Sequence, residues 1–404
     1  MRRVATSFEK EFSVVTGSQP LRVAMIGTGF MGNAHSQAWR VAPRFFDLPL
    51  SPVMQVIVGR NGARTQEAAD RLGWAESATD WQAVIERDDI DLIDICSPGD
   101  SHAEIAIAAL EAGKHVLCEK PLANTPAEAE EMVTAARRAS ERGIRSMVGF
   151  TYRRVPAITF ARQLVHAGRI GTLRQARAAY LQDWLVDENG PMTWRLDKSR
   201  AGSGALGDIG AHAVDAVQFI TGQRVDDVSG HLRTFVTERP LLAETVGLSG
   251  TASSERGTVT VDDAAWFTGR LSGGAVASFE ASRYALGRKN GLTIELYGSR
   301  GAIMFDLERL NELQFYDAAD SATEQGFRRI LVTEPEHPYA GAWWPTGHPL
   351  GYEHGFSHQV VDLVKDIAEG RDPSPSFDDG LQVQRVLDAV ERSSGSDGAW
   401  AAVG

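Results

Sequence analysis

A chain of 404 residues can bury more than one hydrophobic core, and roughly two to three domains are the ordinary expectation at this length. Apolar residues make up 43% and charged residues 23%, as in soluble globular proteins, while a net charge of −12 argues against polynucleotides and anionic membranes as partners. No stretch approaches the roughly 20 apolar residues of a membrane span. Cys96 and Cys118 lie in apolar runs without metal-type spacing, which reads as small core residues in a reducing, cytoplasmic setting, and no metal is called for.

Residues 1–20 contain Arg2-Arg3 but no long apolar run, so an export signal fails and a flexible lead-in is expected. From Leu21 strands and helices alternate. LRVAMIG reads as a buried strand, the stretch from Met31 to about Phe46 as a helix, and VMQVIVG as the second strand. ARTQEAADRLG is a helix with a glycine stop at Gly73, and DWQAVIERDD a shorter one. IDLIDICSP, KHVLCEKP and IRSMVGF continue the strands, with helices between them. This alternation predicts a parallel, doubly wound sheet over residues 21–149. After Phe150 a helix (PAITFARQLVHAG) leads to strands in series: LRQARAAYLQDW, HLRTFVTERP, AAWFTGRLS, GAVASFEASRYA and LTIELYGSRGAIMFD. Short turns between them predict a second α/β domain, 150–404, with a large, mostly antiparallel open sheet, closed by two helices.

Gly27-Thr28-Gly29-Phe30-Met31-Gly32 is a GxGxxG placed between a buried strand and a helix. Gly27 permits the tight turn, Gly29 lets backbone approach a pyrophosphate, and Gly32 permits close helix–strand packing. An NAD site ordinarily ends its second strand with an acid for the ribose; here Val58-Gly59-Arg60-Asn61 has none. Arg60 would neutralise a 2′-phosphate, which leans slightly toward NADP, while Asn61 or backbone would serve the ribose of NAD.

Two further motifs carry chemistry. Cys118-Glu119-Lys120-Pro121 ends a strand, putting Lys120 at the carboxyl edge of the sheet where a nicotinamide sits. Gly207-Asp208-Ile209-Gly210-Ala211-His212 lies in a stretch expected to be helical, so Asp208 and His212 share one face at i and i+4, with Asp215 continuing the polar stripe. Polar groups on a buried helix face need partners, and the hydroxyls of a substrate are suitable ones.

GTGFMG, EKP and GDIGAH in this order resemble the Gfo/Idh/MocA oxidoreductases over nearly the whole chain from Leu21. The resemblance implies a Rossmann domain followed by an α/β domain whose open sheet mediates homo-oligomerisation. It matches Lys120, Asp208 and His212 to the catalytic lysine, acid and acid/base. That match implies that His212 removes a hydroxyl proton, Lys120 stabilises the developing oxyanion, and Asp208 orients His212 or holds a neighbouring hydroxyl. It also implies that Phe30, Met31, Ser97, Pro98, His102 and Glu119 line the cofactor. GTGFMGNAH, TYRRVPA, YLQDW, TWR and GSGALGD are similar to the branch containing levoglucosan, scyllo-inositol and L-glucose dehydrogenases. Gly99 and Thr151 depart from the family, which commonly has asparagine at both places.

Arg153, Asp183, Trp184, Trp194 and Lys198 are the further residues read as holding a sugar. Arg153 lies just past the last Rossmann strand and so near the cleft, and the carboxylate of Asp183 and indole of Trp184 suit a polyol with polar edges and apolar C–H faces. Core packing is the competing role for the tryptophans. The expected activity is oxidation of a secondary hydroxyl of a sugar, anhydrosugar or cyclitol with NAD(P). The alternatives are a redox-neutral sugar oxidoreductase, an NAD-assisted glycosidase, and a non-catalytic sensor.

Overall fold

In a computed structural model of the chain, residues 19–246 and 249–404 are described, and the 1–18 part of the expected lead-in lies outside them. The first sheet is built from β1 (Pro20–Ile26), β2 (Ser51–Val58), β3 (Glu76–Ala78), β4 (Leu92–Ile95), β5 (His115–Cys118) and β6 (Ser146–Val148). All pairs are parallel, in the order β3-β2-β1-β4-β5-β6. This is the dinucleotide-binding order, whose crevice opens beyond the carboxyl ends of β1 and β4. Helices α1 (Phe30–Phe45), α2 (Gly62–Leu72), α3 (Trp81–Ile85), α4 (His102–Glu111) and α5 (Pro126–Ser140) connect the strands. Local signals set their ends, with the stop at Gly73 as the sequence predicts. Gly73 closes α2 in the left-handed region at φ 78°, and Thr125 with Glu128 forms a capping box before Pro126 at the start of α5.

α6 (Pro156–His166) precedes β7 (Leu173–Leu181), and a long excursion holding α7 (Lys198–Ala201) returns to α8 (Ala211–Thr221). The remaining strands are β8 (Val225–Arg233), β9 (Glu238–Val246), β10 (Ser249–Thr258), β11 (Ala264–Leu271), β12 (Val276–Ser282), β13 (Gly291–Gly298), β14 (Gly301–Asp306), β15 (Glu312–Asp317), β16 (Arg328–Leu331) and β17 (Ala401–Ala402). Helices α9 (Tyr352–Glu369) and α10 (Phe377–Gly395) lie between β16 and β17. The nine-stranded sheet runs β16-β15-β14-β13-β7-β12-β11-β8-β17, antiparallel except where β7 meets β12. One face packs on α8 and α10 through Ala178, Phe267, Phe279, Val214, Val217 and Val386. The other face leaves Trp266 and Val276 exposed.

α9 returns to the first sheet. Phe356, Val360 and Val364 share a core with Val23, Met25 and Leu117 of that sheet and Trp39 of α1. Two expectations about element limits change. The strand read as HLRTFVTERP is split after Arg233, because Asp263 Oδ2 accepts the backbone N–H groups of Phe235 (2.6 Å) and Val236 (3.1 Å) and turns the chain. β9 and β10 then form a separate two-stranded hairpin. The stretch holding Asp208 is not continuous α-helix either: Leu206–Gly210 is a π-helix that runs into α8. Such widened turns are often found at functional sites.

Candidate active site

The three glycines of the first turn separate into distinct roles. Gly27 has φ +121°, and a Cβ there would lie 2.6 Å from the Cys96 carbonyl oxygen; a Cβ on Gly32 would lie 2.2 Å from the Gly27 carbonyl oxygen. These two keep β1, β4 and α1 in contact. Gly29, the N-cap of α1, has nothing within 4 Å of its Cβ position and no side-chain cap. The helix start carries no side-chain cap, and the open space beside Gly29 fits a pyrophosphate. Gly29→Ala is therefore expected to fold normally yet weaken NADH binding about tenfold or more, whereas alanine at 27 or 32 strikes backbone and lowers stability. NADH fluorescence titration beside thermal melts separates the cases, and an unaltered NADH affinity in Gly29→Ala would refute this phosphate site.

Around this turn, Phe30 is exposed and stacks on Tyr352 at 6.3 Å, while Met31 is half-buried. Ser97 and Pro98 follow β4 beside Gly27. Arg60 is exposed after β2, and Asn61 is committed to capping α2 by accepting the Arg64 N–H at 3.1 Å. Two residues expected to line the cofactor turn inward instead. His102 is 1% exposed, with Nδ1 3.0 Å from the Pro121 carbonyl and Nε2 2.9 Å from that of Ser97, so it ties two loops together. Glu119 is buried, with one carboxylate oxygen on His35 Nε2 (3.0 Å) and the other accepting the Lys120 N–H (3.2 Å).

Lys120 leaves the carboxyl end of β5 and crosses to the π-helix. Its Nζ donates to the Asp208 carbonyl at 2.7 Å and lies 3.4 Å from Asp208 Oδ1. Asp208 Oδ2 is 3.6 Å from Arg283 Nη1. Burial alone would raise the Asp208 pKa, but Lys120, Arg283 and Arg195 outweigh it and hold the value at about 2. Asp208 is thus ionised at any working pH and cannot be the proton acceptor. The expectation that it orients His212 also changes. Among the described residues no hydrogen bond joins the two; Asp208 holds Lys120. The π-turn explains this, because its wider path presents the Asp208 carbonyl and carboxylate together to the lysine.

His212 stands among rings, with centroids 4.6 Å from Tyr152, 6.0 Å from Tyr180 and 6.1 Å from Phe150. Burial and then the Lys120 charge push its pKa well below the ordinary range, so the imidazole is neutral at neutral pH. A directed hydrogen-bond chain borders it. Tyr180 donates to Asn290 Oδ1 at 2.7 Å, so its partner Tyr152, 2.6 Å away, is the donor to Tyr180. Gln182 Nε2 also donates to Asn290 Oδ1 (2.8 Å), and Trp184 Nε1 donates to Gln182 Oε1 (2.9 Å).

The residues read as sugar ligands divide. Trp184 is 41% exposed and lies over Arg283, which excludes core packing for it, and Trp194 is half-buried with the Arg195 guanidinium 4.5 Å above its ring. Arg153 is 6% exposed and paired with the buried Asp215, Nη2 to Oδ1 at 2.5 Å, so it is committed to the interior. Asp183 is held by Lys289 Nζ (2.7 Å) and the Gly287 N–H (3.1 Å); Lys198 reaches Glu391 on the surface at 2.8 Å. Sequence reading missed Tyr152, Gln182 and Arg195, although each lies in a stretch resembling the family. It had no local signal for Arg283 or Asn290.

Models of known families cover both halves: "Oxidoreductase family, NAD-binding Rossmann fold" matches residues 21–149, and "GFO/IDH/MocA C-terminal domain" matches 158–304. The chain is 43% identical over 387 residues to levoglucosan dehydrogenase of Pseudarthrobacter phenanthrenivorans, spanning 95% of this chain and 98% of that one. It belongs to the Gfo/Idh/MocA family. As a member it is a nicotinamide-dependent oxidoreductase, and the expected fold class stands. An oxidoreductase domain protein from Kribbella flavida superposes with a TM-score of 0.91 at 62% identity, covering 96% of this chain and 100% of its own. Levoglucosan dehydrogenase in complex with NADH and levoglucosan superposes with a TM-score of 0.89 at 43% identity, covering 95% and 100%. Among the described residues no helix is long and apolar enough to cross a membrane.

Proposed function

We propose that the chain oxidises a secondary hydroxyl of a neutral sugar, anhydrosugar or cyclitol to a ketone. The observation that carries this reading is the meeting of Lys120 Nζ with ionised Asp208 at the carboxyl edge of the dinucleotide sheet, with neutral His212 four residues further along the same helical run. The bound nicotinamide supplies the hydride acceptor. His212, uncharged and enclosed by aromatic rings, takes the hydroxyl proton on a ring nitrogen. Lys120 has three N–H donors and spends them on Asp208 only in part, leaving one for the substrate oxygen as negative charge develops. Asp208, clamped by Lys120 and Arg283, keeps the lysine aimed. The exposed Trp184 face and the amide groups of Gln182 and Asn290 suit the C–H faces and hydroxyl edges of a polyol.

Two observations bear on the cofactor. A solved complex of levoglucosan dehydrogenase contains NADH, which supports NAD. Arg60, exposed after β2 with no acid beside it, supports acceptance of a 2′-phosphate as well. We further propose a homo-oligomer formed through the uncovered face of the nine-stranded sheet, where Trp266, Arg177, Glu280 and Glu295 are grouped. The test is a panel of levoglucosan, inositols and aldoses with NAD and NADP, read as reduced-nicotinamide absorbance. Levoglucosan or a close polyol should be turned over with NAD, and Arg60→Ala should weaken only NADP use. Cofactor that is recycled without net NADH, or release of an aglycone, would replace this reading with a redox-neutral exchange or a glycosidase.

A further inference from the structure

A second acid–base group lies behind the catalytic strand and is not used by the chemistry above. His35 sits on α1, six residues past Gly29, and is 1% exposed. Its Nδ1 lies 2.9 and 3.0 Å from the two oxygens of Asp94 on β4, and its Nε2 lies 3.0 Å from Glu119 Oε1, just past β5. Trp39, one turn further along α1, donates its Nε1–H to Asp94 Oδ2 at 2.7 Å. Glu119 Oε2 accepts the backbone N–H of Lys120 at 3.2 Å. Space for this carboxylate depends on Gly149, where a Cβ would stand 2.5 Å from Oε1. Burial works against a charge on the His35 ring, but Asp94 beside it prevails and holds the imidazole protonated well above its ordinary range. An imidazolium donates from both nitrogens and so satisfies both carboxylates; a neutral ring would turn a lone pair toward one of them.

We propose that His35 is a positioning residue for Lys120 that acts through Glu119, tying the helix that faces the dinucleotide to the strand end that presents the lysine. The inference rests on the reading of Lys120 as the group acting on the substrate oxygen. Glu119 fixes the backbone amide of Lys120, and the direction of that amide sets where the side chain leaves the strand before it reaches Asp208. His35 in turn fixes Glu119, and both side chains are buried. A small displacement of a reacting group is costly in rate even when its cause lies outside contact with the substrate.

The test is a mutant cycle on the panel sugar that is turned over. His35→Gln and Glu119→Gln should each lower kcat about 10–100-fold with little change in NADH affinity. In a Lys120→Met background neither should lower it further, since the residue through which they act is gone. Multiplicative losses would overturn the proposal. Should His35→Gln not fold, Glu119→Gln, which keeps the side-chain shape, carries the same cycle. A readout that needs no substrate uses reductive 13C-methylation of the six lysines, with the Lys120 resonance identified by its loss in Lys120→Met. That resonance alone should move in His35→Gln or Glu119→Gln, and its staying in place would overturn the proposal. Normal turnover by Lys120→Met would sink the reading of Lys120, a different failure that the resonance still distinguishes.

Discussion

Substituting His212 by asparagine is expected to lower kcat by about 10²–10⁴-fold while NADH still binds, because the proton acceptor is lost and the cofactor turn is untouched. Asparagine keeps a polar head among Phe150, Tyr152 and Tyr180 but is smaller than imidazole, so a thermal melt beside the kinetics separates lost chemistry from lost packing. The pH profile gives the sign independently. A base works only when unprotonated, and burial with the Lys120 charge holds the His212 pKa well below 6.5. Wild-type kcat/KM should therefore be flat through neutrality and fall on an acid limb below the ordinary histidine range. Lys120→Met removes the cation but not the burial, so the limb of its residual activity should move upward. Asp208 cannot supply that limb, since its pKa sits at about 2. A steady-state kcat within about threefold of wild type in His212→Asn would remove histidine from the proton transfer, given the 10²-fold floor for such groups.

Arg153→Ala should cost about 3–5 kcal/mol of stability, the magnitude for stripping one partner from a buried ion pair. Asp215 is 2% exposed on α8, and the Arg153 guanidinium meets it through Nε (3.0 Å to both oxygens) and Nη2 (2.5 Å). Nη1 reaches Ser374 Oγ (3.2 Å) and Asp379 Oδ2 (3.4 Å) near the start of α10. Removing the arginine leaves the buried Asp215 carboxylate without the partner that accounts for its hydrogen bonds. Asp215→Asn should cost less, because Arg153 keeps Asp379. Arg153→Met with Asp215→Leu should recover most of the loss, since a well-packed apolar pair avoids the desolvation penalty. Chemical denaturation measures all three. A raised sugar KM with unaltered stability in Arg153→Ala would instead return the residue to the substrate pocket, as its position beyond the last Rossmann strand had implied.

Arg153 also marks the limit of what sequence can say. Its neighbourhood in the chain is right, since Tyr152 lies against His212, but the next side chain along the short 3-10 turn points into the interior. A turn distributes adjacent residues to opposite sides, and no periodicity assigns the sides in four residues. Asp208 illustrates the same limit in a helix. The i,i+4 spacing placed it correctly beside His212 in sequence, but the π-turn and the three surrounding cations decide that it serves the lysine. Glu119 and His102 sit where residues of a cofactor site are expected, yet bonds to His35 and to backbone carbonyls turn them inward.

The sequence by itself determined whatever depends on local backbone and order. The GxGxxG turn, the alternation that makes a parallel sheet, the strand end bearing Lys120 and the helix bearing His212 all arise within a few residues of the side chains concerned. Tertiary structure decided what depends on contacts across the chain. Arg283 follows β12 and reaches Asp208 because the π-helix packs on that strand, where a Cβ on Gly210 would stand 3.4 Å from Ala281. Asn290 meets Tyr180 and Gln182 because β13 pairs with the other edge of β7. Nothing in either stretch announces the meeting. Register between strands about a hundred residues apart is set by the burial of a whole sheet face, and that quantity belongs to the folded chain alone.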